Sequence, residues 1–325
     1  MEEESIYISN SGKKNQRTHI CTVSNNNVIS RIKYSIPPSY PEFLFKFYPI
    51  NEYSIDALIN NYLFAANPVS FNDPFDCPIQ LWDEKIFRQP LLIDSFNPLF
   101  RDIWEDNPDE NKEKFFSFVY GFTGIICLNN PRVKNQDLMW GYYSNQQGFT
   151  ISFNSDELIK SWGLPFPIEY LDKDQLDRFF IDSMKRKELI ELTPIILRWT
   201  TQKNKKWDKE NEWRFLFLDC LIDTITFKPK IEERKRKYNY NAINEIILGS
   251  RFFDLQYSVN KNFKQFVYLT SEKSILQNKL LTFLSIPQKI KIRHMFMKKD
   301  ELHLYPRECI IFRQDEQRFL IEYLE

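Results

Sequence analysis

Seven glycines in 325 residues are the tightest constraint this sequence places on its own fold. Soluble proteins average ~7% glycine, so turns that need a backbone without Cβ must be few or built from other residues. Neither GxGxxG nor GxxxxGK[ST] occurs, which removes the glycine-built phosphate cradles of doubly wound and P-loop nucleotide binders. Histidine is scarcer still, with only His19, His294 and His303. There is no HExxH helix, and a histidine-rich metal centre has too few ligands to draw on. GxSxG is absent as well. Any chemistry must therefore come from carboxylates, lysine and arginine, and aromatic rings.

The five cysteines (21, 77, 127, 220 and 309) are odd in number, scattered and never CxxC, which predicts reduced thiols and a reducing compartment. The first residues, MEEES, are acidic and lack an apolar run, so no signal peptide is expected. The longest apolar-leaning stretch, Phe115–Leu128, is too short to span a membrane. A cytoplasmic protein without a membrane partner is the expectation.

The 44 basic and 44 acidic residues cancel overall but not locally. Residues 40–130 hold 14 acidic and 6 basic residues, while basic runs gather at Lys185–Lys187, Lys203–Lys209, Lys228–Lys237 and Lys289–Lys299. Such runs are either solvated faces or a counter-surface for phosphate, and the interleaved Asp208, Glu232 and Glu233 weigh against nucleic acid.

Residues 1–39 read as a flexible or loosely docked arm with a short strand at Ser5–Ser9, closed by Pro37-Pro38. A core domain is expected over 40–255 and a small helix–strand appendage over 256–325. Phe43, Phe45 and Phe47 alternate with Leu44, Lys46 and Tyr48, the period of a strand. Ser54 is placed to cap a helix over Ile55–Asn61. Helices are predicted over Asp102–Tyr120 and Asp172–Leu192. Strands are predicted at Gly124–Leu128, at Gly148–Phe153 with Thr150 and Ser152 on a polar face, at Glu210–Asp219 and at Ala242–Leu248.

Three segments carry candidate chemistry. In Phe71-Asn72-Asp73-Pro74-Phe75-Asp76 the Asn and Asp before proline favour an Asx turn. Two aromatics would anchor that turn in the core while Asn72, Asp73 and Asp76 present oxygens, either as a rigid turn or as a loop facing a ribose or cation. Leu138–Tyr143 supplies flat rings, Trp140 and Tyr143 among them, beside a sheet edge. These are either core or a stacking surface for a nucleobase or nicotinamide. Lys203-x-x-x-Trp207-x-x-Glu210-x-Glu212-x-Arg214 is the sharpest charge pattern. Strand alternation would put Glu210, Glu212 and Arg214 on one face and Trp213, Phe215 and Phe217 on the other. Charges on a core strand must be paired, so this is either a structural ion pair or a strand-mounted glutamate oriented by arginine.

FLFKFYPIN, FNDPFDC, LMWGYYSNQQGFTISF, KNKKWDKENEWRFLF and NEIILGS, in this order, resemble the prokaryotic domain-of-unknown-function family numbered twenty-nine seventy-one, over roughly residues 43–250. The order of strands also resembles ADP-ribosyltransferases, including DarT-like toxins. That resemblance implies an α+β fold with a split sheet and flanking helices. It further implies NAD as substrate and a macromolecular acceptor, protein or nucleic acid. Glu212, Lys46 and Tyr143 would be the catalytic set, with Lys46 standing where the superfamily has His or Arg. Asn72, Asp73, Asp76, Trp140, Lys203, Trp207, Glu210 and Arg214 would hold the nucleotide, without a metal. An NAD-consuming effector in antiviral defence or a toxin system, with a possible defence-system partner protein, is the reading this supports. Two alternatives stand beside it. One is a Mg²⁺-dependent nuclease or phosphodiesterase using Asp73, Asp76, Glu210 and Glu212. The other is a sensor or binding module without catalysis.

Overall fold

A computed structural model describes residues 3–8, 18–23, 29–33, 39–77, 81, 110, 113, 117, 120–121, 123–130, 136–176, 196–218, 220, 230–253, 264–268, 273–287, 289–298 and 303–324. Strands β1 (Glu3–Ile8), β2 (Thr18–Val23) and β3 (Ile29–Lys33) pair antiparallel in a sheet of their own. The chain then forms β4 (Phe43–Tyr48), α1 (Glu52–Ile59), β5 (Tyr62–Phe64) and β6 (Gly124–Asn129). Next come α2 (Gln136–Ser144), β7 (Phe149–Asn154), α3 (Ser155–Trp162) and the short β8 (Phe166–Pro167), β9 (Glu169–Leu171) and β10 (Gln202–Asn204). A 3-10 turn over Lys205–Glu210 leads into β11 (Glu212–Phe217), followed by β12 (Lys235–Lys237) and β13 (Ile243–Leu248). Last are β14 (Lys264–Tyr268), α4 (Lys273–Leu284), β15 (Lys291–Lys298), β16 (His303–Arg313) and β17 (Arg318–Tyr323). The result is an α+β chain with a large mixed sheet.

Two units divide these elements, each discontinuous in sequence. The first comprises residues 1–40, 64–127 and 162–236; the second comprises 41–63, 128–161 and 237–325. In the second unit the strand order is β14-β17-β16-β15-β13-β7-β4. β13 and β15 run parallel, with Ile246 opposite Ile292, and the other pairs are antiparallel. The segment after residue 255 thus continues the sheet of this unit. α2 packs on β4, and α4 packs on both α1 and β16. In the first unit β11 lies between β6 and β8, while β9 and β10 form a parallel pair.

The strand periods appear where the alternation predicts them, but central strands are buried on both faces. On β7, Thr150 and Ser152 are as inaccessible as Phe149, Ile151 and Phe153. A strand between two neighbours with side chains packed above and below has no solvated face, so the expected polar face does not exist. On β4, Leu44 is buried together with Phe45 and Phe47. α1 also starts earlier than expected. Asn51 is its N-cap, accepting from the Ser54 amide at 2.8 Å, and Ser54 Oγ in turn accepts from the Asn51 amide at 3.2 Å. Ser54 is therefore the third helical residue of a capping box rather than the cap itself. The helices expected over 102–120 and 172–192 lie mostly outside the described residues. Glu110, Glu113, Ser117 and Tyr120 are helical, and residues 172–176 form a turn.

The glycine shortage is met in two ways. Where a left-handed backbone is needed, Asn61, Asn145 and Asn211 adopt it, as does Gln146; asparagine tolerates that region through local side-chain hydrogen bonds. Where backbones touch, glycine is retained: a Cβ on Gly148 would lie 1.9 Å from the Tyr48 carbonyl oxygen. Cys77, Cys127, Cys220 and Cys309 are free thiols. Among the described residues no helix is long and apolar enough to cross a membrane.

Two glycines give opposite predictions. Gly148→Ala forces β4 and β7 apart and lowers unfolding stability by about 1–3 kcal/mol or more. Gly141→Ala, inside α2 with open space around its Cβ, raises stability by roughly 0.5–1 kcal/mol. Urea unfolding followed by circular dichroism measures both signs.

Candidate functional site

The first unit buries a network of five charged side chains: Asp76, Lys203, Glu210, Glu212 and Arg214. None is more than 7% exposed. Its geometry begins with β10, where the parallel pairing sets Lys203 opposite Tyr170. Asn204 then caps the 3-10 turn, its side chain accepting from the Lys206 amide at 3.0 Å. Glu210 ends that turn, and Asn211 takes a left-handed conformation at φ 42°, ψ 54°. This reversal aims the carboxylates on either side of Asn211 at one ammonium. Lys203 Nζ lies 2.6 Å from Glu210 Oε2 and 3.2 Å from Glu212 Oε2. The strand itself starts only at Glu212, so Glu210 does not share a strand face with it. Alternation ends where the ladder ends, and the convergence comes from the turn.

The Phe71–Asp76 segment folds as the Asx turn its residues predict. Asp73 Oδ1 accepts from the Phe75 amide at 3.1 Å, and the Asp73 carbonyl accepts from the Asp76 amide at 3.0 Å. Cys77 follows at φ 53°, a conformation that costs a residue without glycine's freedom about 1–3 kcal/mol. The turn delivers Asp76 Oδ2 to Arg214 Nη2 at 2.6 Å and to Lys203 Nζ at 3.1 Å.

Arg214 is the hub. Its Nε donates to Glu212 Oε1 at 2.7 Å, and Nη2 also reaches Glu212 Oε2 at 3.2 Å. Nη1 donates to the Thr200 carbonyl at 2.7 Å. The Phe71 ring lies 5.2 Å from the guanidinium carbon. The Glu212 amide donates to the Tyr170 hydroxyl at 2.8 Å, fixing the start of the strand.

Three carboxylates against two cations leave one formal negative charge in a buried place. Burial pushes the Glu212 carboxyl up, but the Arg214 and Lys203 charges outweigh it and hold the group well below the usual carboxylate range. Burial alone would lower the Lys203 ammonium and Arg214 guanidinium, yet the surrounding carboxylates raise both. Burial and Asp76 push the Cys77 thiol well up, which leaves it unreactive.

Around this network Asn72 is exposed and Asp73 is buried. Trp207 is half-buried, with the Lys203 and Lys206 ammonium groups each 5.4 Å from its ring. Phe75, expected to anchor in the core, is 62% exposed instead, its ring 5.2 Å from Lys206 Nζ. Lys46, Trp140 and Tyr143 belong to the second unit. There Trp140 is 2% exposed and packs edge-on against Phe47 at 5.3 Å, while Tyr143 stacks on Phe47 at 6.5 Å. The Trp140 ring is thereby part of the core. Lys46 is half-buried opposite Ile151.

Tyr170, Thr200 and Lys206 were not singled out by the sequence. The first two act through a hydroxyl and a backbone carbonyl, which no local pattern marks. The proposed Mg²⁺ ligands fit a metal poorly, because Lys203 and Arg214 already bond the Asp76, Glu210 and Glu212 oxygens. Among the described residues no three His, Cys, Asp or Glu side chains are arranged to hold a metal ion.

Both Glu212 oxygens accept from the Arg214 and Lys203 cations, and an amide in that place breaks these buried pairs and turns one acceptor into a donor facing a cation. Glu212→Gln therefore destabilises the fold by about 3–5 kcal/mol. Glu212 is held below its ordinary value of 4.5 in the folded protein. Its contribution is thus present above that value and is lost as the pH falls below it toward the lower folded value. Urea midpoints measured from pH 6 downward should fall more steeply below 4.5 in the wild type than in Glu212→Gln.

No curated protein and no solved structure was found similar to this chain. Residues 139–215 match the model of a family described as "Protein of unknown function (DUF2971)". The matched segment, about a quarter of the chain, is similar to that family and contains Lys203, Glu210, Glu212 and Arg214.

Proposed function

We propose that the protein acts on NAD, breaking the bond between nicotinamide and ribose and passing the ADP-ribosyl group to a macromolecule or to water. The observation that carries this reading is the surplus negative charge around Glu212, a carboxylate held ionised and fixed in place by Arg214 and Lys203. When the bond breaks, its electron pair stays with the nicotinamide nitrogen and discharges the ring. The ribose is left with a positive, oxocarbenium-like C1′. A preorganised negative charge beside that carbon favours the transition state over the ground state. The acceptor oxygen or nitrogen then bonds to C1′ and gives up its proton to solvent. Lys205, Lys206 and Lys209, exposed on the 3-10 turn, supply positive charge for the pyrophosphate.

A second reading rests on a specific observation. Both oxygens of Glu212 are bonded, Oε1 to Arg214 and Oε2 to Arg214 and Lys203. A carboxylate so occupied also serves as a purely structural joint in a binding module.

Incubation with NAD separates the two. The catalytic reading predicts nicotinamide release, reduced by about 10²–10³-fold in Glu212→Gln when both proteins are compared at a temperature where circular dichroism shows them folded. NAD left intact with protein and nucleic-acid acceptors present contradicts it and leaves the binding module.

A further inference from the structure

β14, β17 and β16 close one end of the second unit's sheet, with β14 as its outermost strand. Their registers sort the side chains onto two faces. Val267, Phe319, Ile321, Ile311 and Cys309 share the inner face and are buried. The residues between them point the other way. Phe266 stands opposite Leu320, and Leu320 opposite Phe312, so the three form one row across the strands. Ile310 lies opposite Glu322 in the next row. Phe266, Phe312 and Ile310 are 41%, 41% and 43% exposed. The outward face of an antiparallel sheet is normally polar. Two phenylalanines and a leucine in a row, extended by an isoleucine, mark a contact surface instead.

The charges on this face say what covers it. Along β17, Arg318 and Glu322 lie two residues to either side of Leu320, and strand alternation puts all three on the outward face. Arg318 Nε bonds Asp315 in the β16–β17 turn, which keeps the guanidinium at that end. The face is thus cationic on one side of the apolar row and anionic on the other. A two-fold axis lying along the Phe266–Leu320–Phe312 row turns the face onto itself with Leu320 on Leu320. It also sets Arg318 over Glu322 of a second copy, and does so twice. A two-fold axis along the strands would stack Arg318 on Arg318 and Glu322 on Glu322, so the charges select the first arrangement.

We propose that a second copy of the chain docks on this face, as an isologous pair of stacked sheets whose facing strands run antiparallel. Three strands at ~4.8 Å spacing and six residues at ~3.4 Å make the face roughly 14 by 20 Å. That footprint is well below the ~800 Å² per partner of stable complexes, so the dimer is weak and dissociates on dilution. The proposal does not depend on the NAD reading.

The full chain is followed by sedimentation velocity from low to high micromolar concentration. The wild type passes from monomer to dimer. Phe312→Glu stays monomeric across the range, and its melting temperature at low concentration matches the wild type's, because the ring faces solvent in the monomer. Arg318→Glu and Glu322→Lys each turn both pairs between the copies into like charges and weaken association by about 10–100-fold. An equimolar mixture of these two variants associates again, since each chain offers the other the charge it lacks. A purely structural role of either residue does not produce that rescue. A wild type that stays monomeric at high micromolar concentration, a Phe312→Glu variant that dimerises as the wild type does, or a mixture that associates no better than its components overturns the proposal.

Discussion

The Arg214 guanidinium joins parts of the chain that lie far apart in the sequence. It binds Asp76, 138 positions away, Glu212 on its own strand and the Thr200 carbonyl. A lysine could not replace it, since a point charge cannot bond three partners in one plane. The buried charges are costly to desolvate, and only mutual pairing offsets that cost. Their arrangement accordingly depends on the turn at Phe71–Asp76, the parallel β9–β10 pair and the left-handed Asn211 holding their geometry together. Loss of any one leaves a carboxylate or cation buried without its counterpart.

Much of this was legible in the residues. The Asx turn follows from Asn and Asp before proline. The Glu212–Arg214 pair follows from the need to compensate charges on an apolar strand. The alternation at Phe43–Tyr48 and Gly148–Phe153 and the apolar runs at Gly124–Leu128 and Ala242–Leu248 all fall on strands, within a residue of the expected bounds. What escaped the sequence is non-local. Asp76 and Arg214 meet only because two distant segments fold together, and no spacing rule reports such a contact. Side-chain exposure was misjudged at Phe75 and left open at Trp140, because aromatic residues carry no mark of whether they face core or solvent. Trp140 is core and Phe75 is surface, although both sit in aromatic motifs.

The scarcity of glycine also acquires a physical meaning. Among the described residues, asparagines hold three of the five left-handed positions that are not glycine, and the retained Gly148 sits where β4 and β7 touch. Cys77 is different: it holds φ 53° directly after Asp76, with its thiol donating to Asp76 Oδ1 and accepting from Arg214 Nη1, both at 3.5 Å. Strain of this kind persists only where surrounding interactions enforce it. Here the enforcing interaction is the grip of Arg214 and Lys203 on Asp76.

A double-mutant cycle between Asp76 and Arg214 tests the central claim that one shared ion network holds the turn and the strand as a unit. Unfolding free energies of Asp76→Asn, Arg214→Met and the double variant are compared with the wild type. The account predicts that the double variant is less destabilised than the two single losses combined, with a coupling of about 1–3 kcal/mol. Additivity within about 0.5 kcal/mol would contradict it.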